Sequence, residues 1–204
     1  GYGPTLLVRR EQKPEAPWAL VKVGDRVSTT DALVSLPGCA SEVRLDGGVH
    51  LLLRGHVREF SLNPLMNFLL DSAVVLHKPA KGIDADVTLQ RGRLFLSSAK
   101  DRGPAAVRLR FGKEAWDLTL EEPGTEVSID LLHHYTRDID YNAGEAPRAE
   151  LYLCVLRGKA SLKANLNSYA LEAPPGPALF TWDNNGPGAR GPVRLDAVPP
   201  VWNK

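Results

Sequence analysis

The sequence predicts an all-β fold: stacked antiparallel hairpins forming a β-sandwich or a short β-solenoid-like stack, with at most one or two short helices. Three observations lead there. Apolar residues alternate with polar ones over many runs of five to seven residues, the period that puts one strand face on a core and the other toward solvent. The runs are separated by Gly, Pro, Asp or Asn. Finally, 18 glycines and 16 prolines among 204 residues fill about one position in six, above the usual ~12%.

Each run can be justified in order. Residues 1–17 combine Thr5-Leu6-Leu7-Val8 with a charged, Pro-bearing stretch, and read as a linker or an edge strand. The main β domain is expected over 18–183. It opens with Trp18–Val23, which stops at Gly24-Asp25, followed by Ala32–Leu36, which stops at Pro37-Gly38. Ser41–Leu45 and Val49–Leu53 flank Asp46-Gly47-Gly48, a strong hairpin signal. Asn63 to Asp71 is the best helix candidate, with Asn63 placed to cap and Pro64 at the first position. Ser72–His77 reads as a strand. Asp86–Gln90 and Arg93–Ser97 read as two strands around an Arg91-Gly92 turn. Ala106–Phe111 and Ala115–Leu120 flank Gly112-Lys113, and Thr125–Asp130 follows Pro123-Gly124. Glu150–Leu156 and Lys159–Lys163 read as a pair around Arg157-Gly158; Ser168–Glu172 and Ala178–Trp182 close the domain. The stretch 184–204 is a Pro/Gly-rich tail, expected to be loosely held.

Composition excludes several function classes. Lys and Arg number 25 against 24 Asp and Glu, a net charge of +1, without the basic excess of a nucleic-acid binder. No run of about 18 apolar residues is present. The two cysteines, Cys39 and Cys154, lack zinc spacing; they read as small buried hydrophobes, with a disulfide as the alternative. The chain starts at Gly1-Tyr2-Gly3-Pro4 and is expected to be a piece of a longer polypeptide.

The order of these signals resembles the FecR domain family. The match runs through Gly92-Arg93-Leu94-Phe95-Leu96, Gly124-Thr125-Glu126-Val127-Ser128-Ile129, Cys154-Val155-Leu156-Arg157-Gly158-Lys159-Ala160-Ser161-Leu162 and Tyr169–Gly176. Upstream, Val23–Thr29 and Ala40–Gly47 resemble the family's entry, so the likeness covers roughly residues 20–180. The stretches 55–85 and 133–147 depart from the pattern and read as insertions. The resemblance implies a β-rich periplasmic or extracellular module, tethered by a membrane span outside this stretch, that binds a protein partner and in some members relays a signal to a sigma factor.

Read from the residues, the motif positions Gly47, Gly92, Gly124, Thr125 and Gly158 are structural. The glycines are expected at hairpin turns that need positive φ. Catalysis is not expected: no nucleophile elbow, phosphate loop or Cys/His pair occurs. No metal or cofactor is expected. His133, Asp138 and their neighbours form the densest cluster of ligand-type side chains, but adjacent strand histidines face opposite ways, and a polar loop is the preferred reading. The alternative function is a carbohydrate-binding β-sandwich. Its stacking platform would be Trp182, the tryptophan expected to be most exposed; Trp116, in alternation with Leu118 and Leu120, is expected in the core. Arg91, Arg93, Arg108 and Arg110 are expected on one solvent face, where charge discourages edge-to-edge pairing.

Overall fold

The computed structural model describes residues 4–11, 13, 15–55, 71–135, 140, 145–186 and 188–202. Strands make up 61% of them, far above the ordinary 20–25%, so the all-β expectation holds. The helix candidate at 63–71 lies almost wholly outside the described residues. Among those described, the one helical element is a short 3-10 turn, Pro200–Trp202.

Among the described residues, fourteen strands form one hydrogen-bonded network that folds over itself into two faces. The first face runs β2 (Ala19–Val21), β1 (Leu7–Glu11), β3 (Asp31–Ser35), β6 (Ser72–His77), β7 (Ala85–Ser98), β8 (Ala105–Phe111), β9 (Glu114–Leu120), β11 (Arg148–Ala164) and β12 (Asn167–Ala173). The second runs β4 (Ala40–Leu45), β5 (Val49–Arg54), β7 again, β10 (Glu126–His134), β11 again, β13 (Ala178–Asp183) and β14 (Gly188–Arg194). Thus β7 and β11 belong to both faces. The first half of β7 pairs with β6 and β8, its second half with β5 and β10. The first half of β11 pairs with β10 and β13, its second half with β9 and β12. Pairing is antiparallel except between β7 and β8. Having crossed to the second face, the chain returns to lie beside its own earlier stretch in the same direction.

This arrangement corrects two expected hairpins. Arg91-Gly92 and Arg157-Gly158 are not turns but the corners at which β7 and β11 pass between faces. Both glycines have positive φ, +92° and +79°. A Cβ at Gly92 would lie 2.6 Å from the Ser72 Cα, and one at Gly158 would lie 3.0 Å from the Thr125 Cα. The requirement for glycine is as expected; its cause is a corner tightly backed by a neighbouring chain. Gly47 is corrected in the opposite sense. The hairpin between β4 and β5 does form, but positive φ belongs to Gly48 (+75°), and Gly47 is needed because a side chain there would run into the Asp84 backbone.

The core lies between the faces. Strict alternation leaves Val107, Leu109 and Phe111 of β8, and Trp116, Leu118 and Leu120 of β9, at 1% exposure or less. The expectation for Trp116 therefore holds. Its indole makes edge-on contacts with Phe111 at 4.6 Å and with Phe180 from the opposite face at 5.6 Å. Such edge-to-face pairs add about 0.5–1.5 kcal/mol each beyond area burial. Strands also form in the outer segments. β1 is enclosed between β3 and β2, and within 184–204 β14 pairs along β13.

Candidate functional site

Thr125 and Gly124 sit at the start of β10, where they brace the β11 corner. Thr125 is fully buried, and its hydroxyl donates to the Lys159 carbonyl at 3.3 Å. The Gly124 carbonyl accepts from Arg157 Nε at 3.0 Å, and its amide donates to the Ser98 carbonyl. With Gly158, these motif residues form one joint rather than a ligand cradle.

Trp182 is not the exposed tryptophan. It is 9% exposed and stacks edge-on to Phe111 at 5.0 Å, so the sugar platform loses its key residue. Being the last inward position of β13 places it against the opposite face. Among the described residues the exposed aromatics are Trp18 at 47% and Tyr135 at 70%. His133 and His134 leave β10 on opposite sides: His134 approaches Glu150 at 3.5 Å, while His133 lies beside Tyr135. Burial, helped by the charge of Arg91, pushes the His133 pKa down, which keeps it neutral at pH 7. Asp138 lies outside the described residues. Among the described residues no three His, Cys, Asp or Glu side chains are grouped to hold a metal.

The four arginines divide. Arg108 and Arg110 do line the outer side of the first face, each held by two hydrogen bonds to a carboxylate, Asp117 and Asp86 respectively. Arg91 is paired in the same way with Asp71. Arg93 departs from expectation. It is 6% exposed and forms a two-point ion pair with Asp130, both contacts 2.7 Å, across the β7–β10 pairing. Trp202 covers the pair and donates its indole N–H to Asp130 Oδ2 at 2.9 Å. The tail is thus pinned to the second face. Phe95 (1%), Leu52 (7%) and Ala40 (7%) form a small separate apolar cluster. Phe95 and Ser128 face each other across β7 and β10, and Ser128 and Cys154 across β10 and β11.

Both cysteines are free and buried. Burial, followed by the charge of Asp130, pushes the Cys154 thiol up to about 12. A group so placed carries no thiolate at neutral pH. We expect neither thiol to react with Ellman's reagent in the folded protein at pH 8, both to react after unfolding in guanidinium, and dithiothreitol to leave Tm unchanged. Rapid release of one equivalent from the native protein would contradict this arrangement.

Sequence reasoning missed an exposed apolar surface among the described residues. Among the described residues β2 pairs with β1 alone and ends the first face. Register places Leu20 opposite Val8, and alternation carries Trp18 and Leu6 onto the same side. Leu6, Trp18 and Leu20 are 37%, 47% and 56% exposed, and Val23, in the adjoining turn, 93%. The Arg10 guanidinium lies over the Trp18 ring at 5.0 Å. A groove of about 820 Å³ adjoins this end of the sheet, lined by Arg9, Glu11, Ala19, Thr30 and Asp31 among others. Within Trp18–Lys22 the sequence offered one signal: Trp, Leu and Lys on one side against Ala and Val on the other, which leaves two large apolar groups on the side opposite the core.

These features define a two-faced β fold with a pinned tail and an apolar sheet edge. No family model matches the chain, and no curated protein does. Among solved structures, it is similar to a candidate anti-sigma factor from Parabacteroides distasonis ATCC 8503, at 14% identity and a TM-score of 0.48. The likeness covers 79% of this chain and 58% of that one, so the chain spans less than two thirds of that protein's length.

Proposed function

We propose that the chain is a non-enzymatic, extracytoplasmic interaction module of the signalling type that the FecR-domain resemblance implies, and that it works by presenting a sheet edge to another protein. The observation that carries this reading is the exposed apolar patch of Leu6, Trp18 and Leu20, on the side shared with Val8, at the edge that β2 makes beside β1. An exposed apolar edge strand is an aggregation hazard that soluble proteins normally cover or charge. Its retention is most simply explained by a partner that covers it. The burial of Trp182 removes the platform residue expected for the carbohydrate alternative, and a glycan-array screen tests that reading.

A photo-crosslinking residue placed at Leu20, in the protein expressed in its own cells, tests the reading. The expected result is a discrete adduct with a second protein, absent when the same residue is placed at Arg110 on the ion-paired surface. Identical patterns from both positions, or none from either, would overturn it. The tether and the extracytoplasmic location are tested separately, by protease access to the protein in spheroplasts.

A further inference from the structure

We infer that the partner segment is an extended strand of pattern acidic–x–apolar–x–acidic, added antiparallel to β2; this rests on the interaction reading above. Backbone geometry decides which groups are available. The Leu36 amide donates to the Leu6 carbonyl, so Leu6 and, by alternation, Val8 and Arg10 direct their peptide groups to β3. Leu7 and Arg9 then bond toward β2, using Val21 and Ala19 as their opposites. That leaves the N–H and C=O of Leu20 facing the open edge. The next position outward, Lys22, is already closed: its amide donates to Asp25 Oδ2 at 2.9 Å and its carbonyl accepts the Asp25 amide at 3.0 Å. An added strand would therefore register on Leu20 and be stopped at Lys22.

Side chains decide the chemistry. Trp18, Leu20 and Lys22 share one side, with Arg10 held over Trp18. Arg91, Arg93, Arg108 and Arg110 each have an aspartate partner. Arg10 and Lys22 have no carboxylate partner among the described residues. The patch is thus an apolar centre with an unmatched cation at each end, spaced two residues from the middle. On an opposed strand, residues two apart face the same side. An apolar residue would then lie over Leu20, with a carboxylate at Lys22 and another at Arg10. A second copy of this chain fits poorly. Antiparallel pairing of β2 with itself about Leu20 would bring each Lys22 opposite Trp18 and near the Arg10 that lies over it, leaving a pair of cations at each end with no carboxylate between them, an unfavourable placement on a sheet face. Strand addition to an open edge gives affinity through main-chain bonds and specificity through alternate side chains.

The test uses two synthetic peptides, Ac-Ser-Thr-Glu-Val-Leu-Val-Glu-Thr-Ser-amide and the same peptide with Lys at both Glu positions, titrated into ¹⁵N-labelled protein. The expected result is shifts confined to amides of 6–10 and 18–22, with the Glu peptide at least ~10-fold tighter, as two ion pairs gained against two repulsions would give. Binding should weaken with salt and be lost in Leu20→Lys, whose exposed position leaves the fold intact by circular dichroism. Equal binding of the two peptides, shifts centred on 108–117, or no shifts at millimolar peptide would overturn the inference. A concentration-dependent dimer in sedimentation that Leu20→Lys abolishes would overturn it in favour of a second copy. If the position-20 photoadduct with another protein forms while the peptides bind equally, the interaction reading stands and only the partner's chemistry is wrong.

Discussion

Asp130→Ala is expected to lower the stability of the protein by about 3–5 kcal/mol, measured by urea unfolding at pH 7. The substitution removes little apolar surface. Its effect comes from what stays behind: Arg93, 6% exposed, retains its charge in a site from which water is largely excluded and loses the carboxylate that grips it at two points. The Trp202 indole N–H loses its acceptor as well, so the 3-10 turn that ends the described chain should loosen together with the ion pair. A red shift in tryptophan emission before global unfolding would report this release. The same substitution at Asp117 is expected to cost less than about 1 kcal/mol, although its pairing with Arg108 is drawn with the same two hydrogen bonds. There the side chains are 31% and 43% exposed, and water replaces the lost partner. Replacing the buried pair together, as Arg93→Met with Asp130→Leu, should recover most of the loss, because no uncompensated charge remains. Equal effects at Asp130 and Asp117 would show that burial does not set the energy of these pairs.

Gly92→Ala is expected to cost about 2–6 kcal/mol in the same assay. Two contributions add. Holding a non-glycine residue at φ +92° costs about 1–3 kcal/mol, and the new methyl meets the Asp71–Ser72 backbone as well as the Ser72 hydroxyl, where overpacking costs a further 1–3 kcal/mol. Gly112→Ala separates the two. Its φ is also positive, +52°, but nothing lies within 4 Å of the added carbon, so only the conformational part, about 1–2 kcal/mol, should appear. Gly158→Ala should resemble Gly92→Ala, since Thr125 backs it. A Gly92→Ala protein no less stable than Gly112→Ala would mean that the corner moves freely.

Much of the fold was legible because alternation is a local property. The β8–β9 hairpin, the burial of Trp116 and the β4–β5 turn follow from which residues stand two apart and from the glycines between them. The corners were not legible, because Arg-Gly inside an alternating run looks the same whether the chain reverses or bends and continues. Only its pairing with distant β5, β10, β12 and β13 distinguishes the cases. Arg93 was misplaced for a related reason. Its alternation matches that of Arg108, but its outward side is covered by Trp202, more than a hundred residues later in the sequence. The two tryptophans exchange roles on the same ground. Trp182 and Trp18 both adjoin strand ends, and exposure depends on which strand terminates a sheet, which topology decides.

The sharing of β7 and β11 between the faces bears on how the protein comes apart. The 17 residues of β11 complete both faces, as do the 14 of β7, so neither face can melt while the other keeps all its hydrogen bonds. A cut anywhere between these strands separates partners needed on both sides. The molecule should therefore lose structure in a single cooperative step. Strand pairings that join distant parts of the chain also make for slow folding. A pull applied through one end of the chain would meet a body whose two faces yield together rather than one shedding before the other.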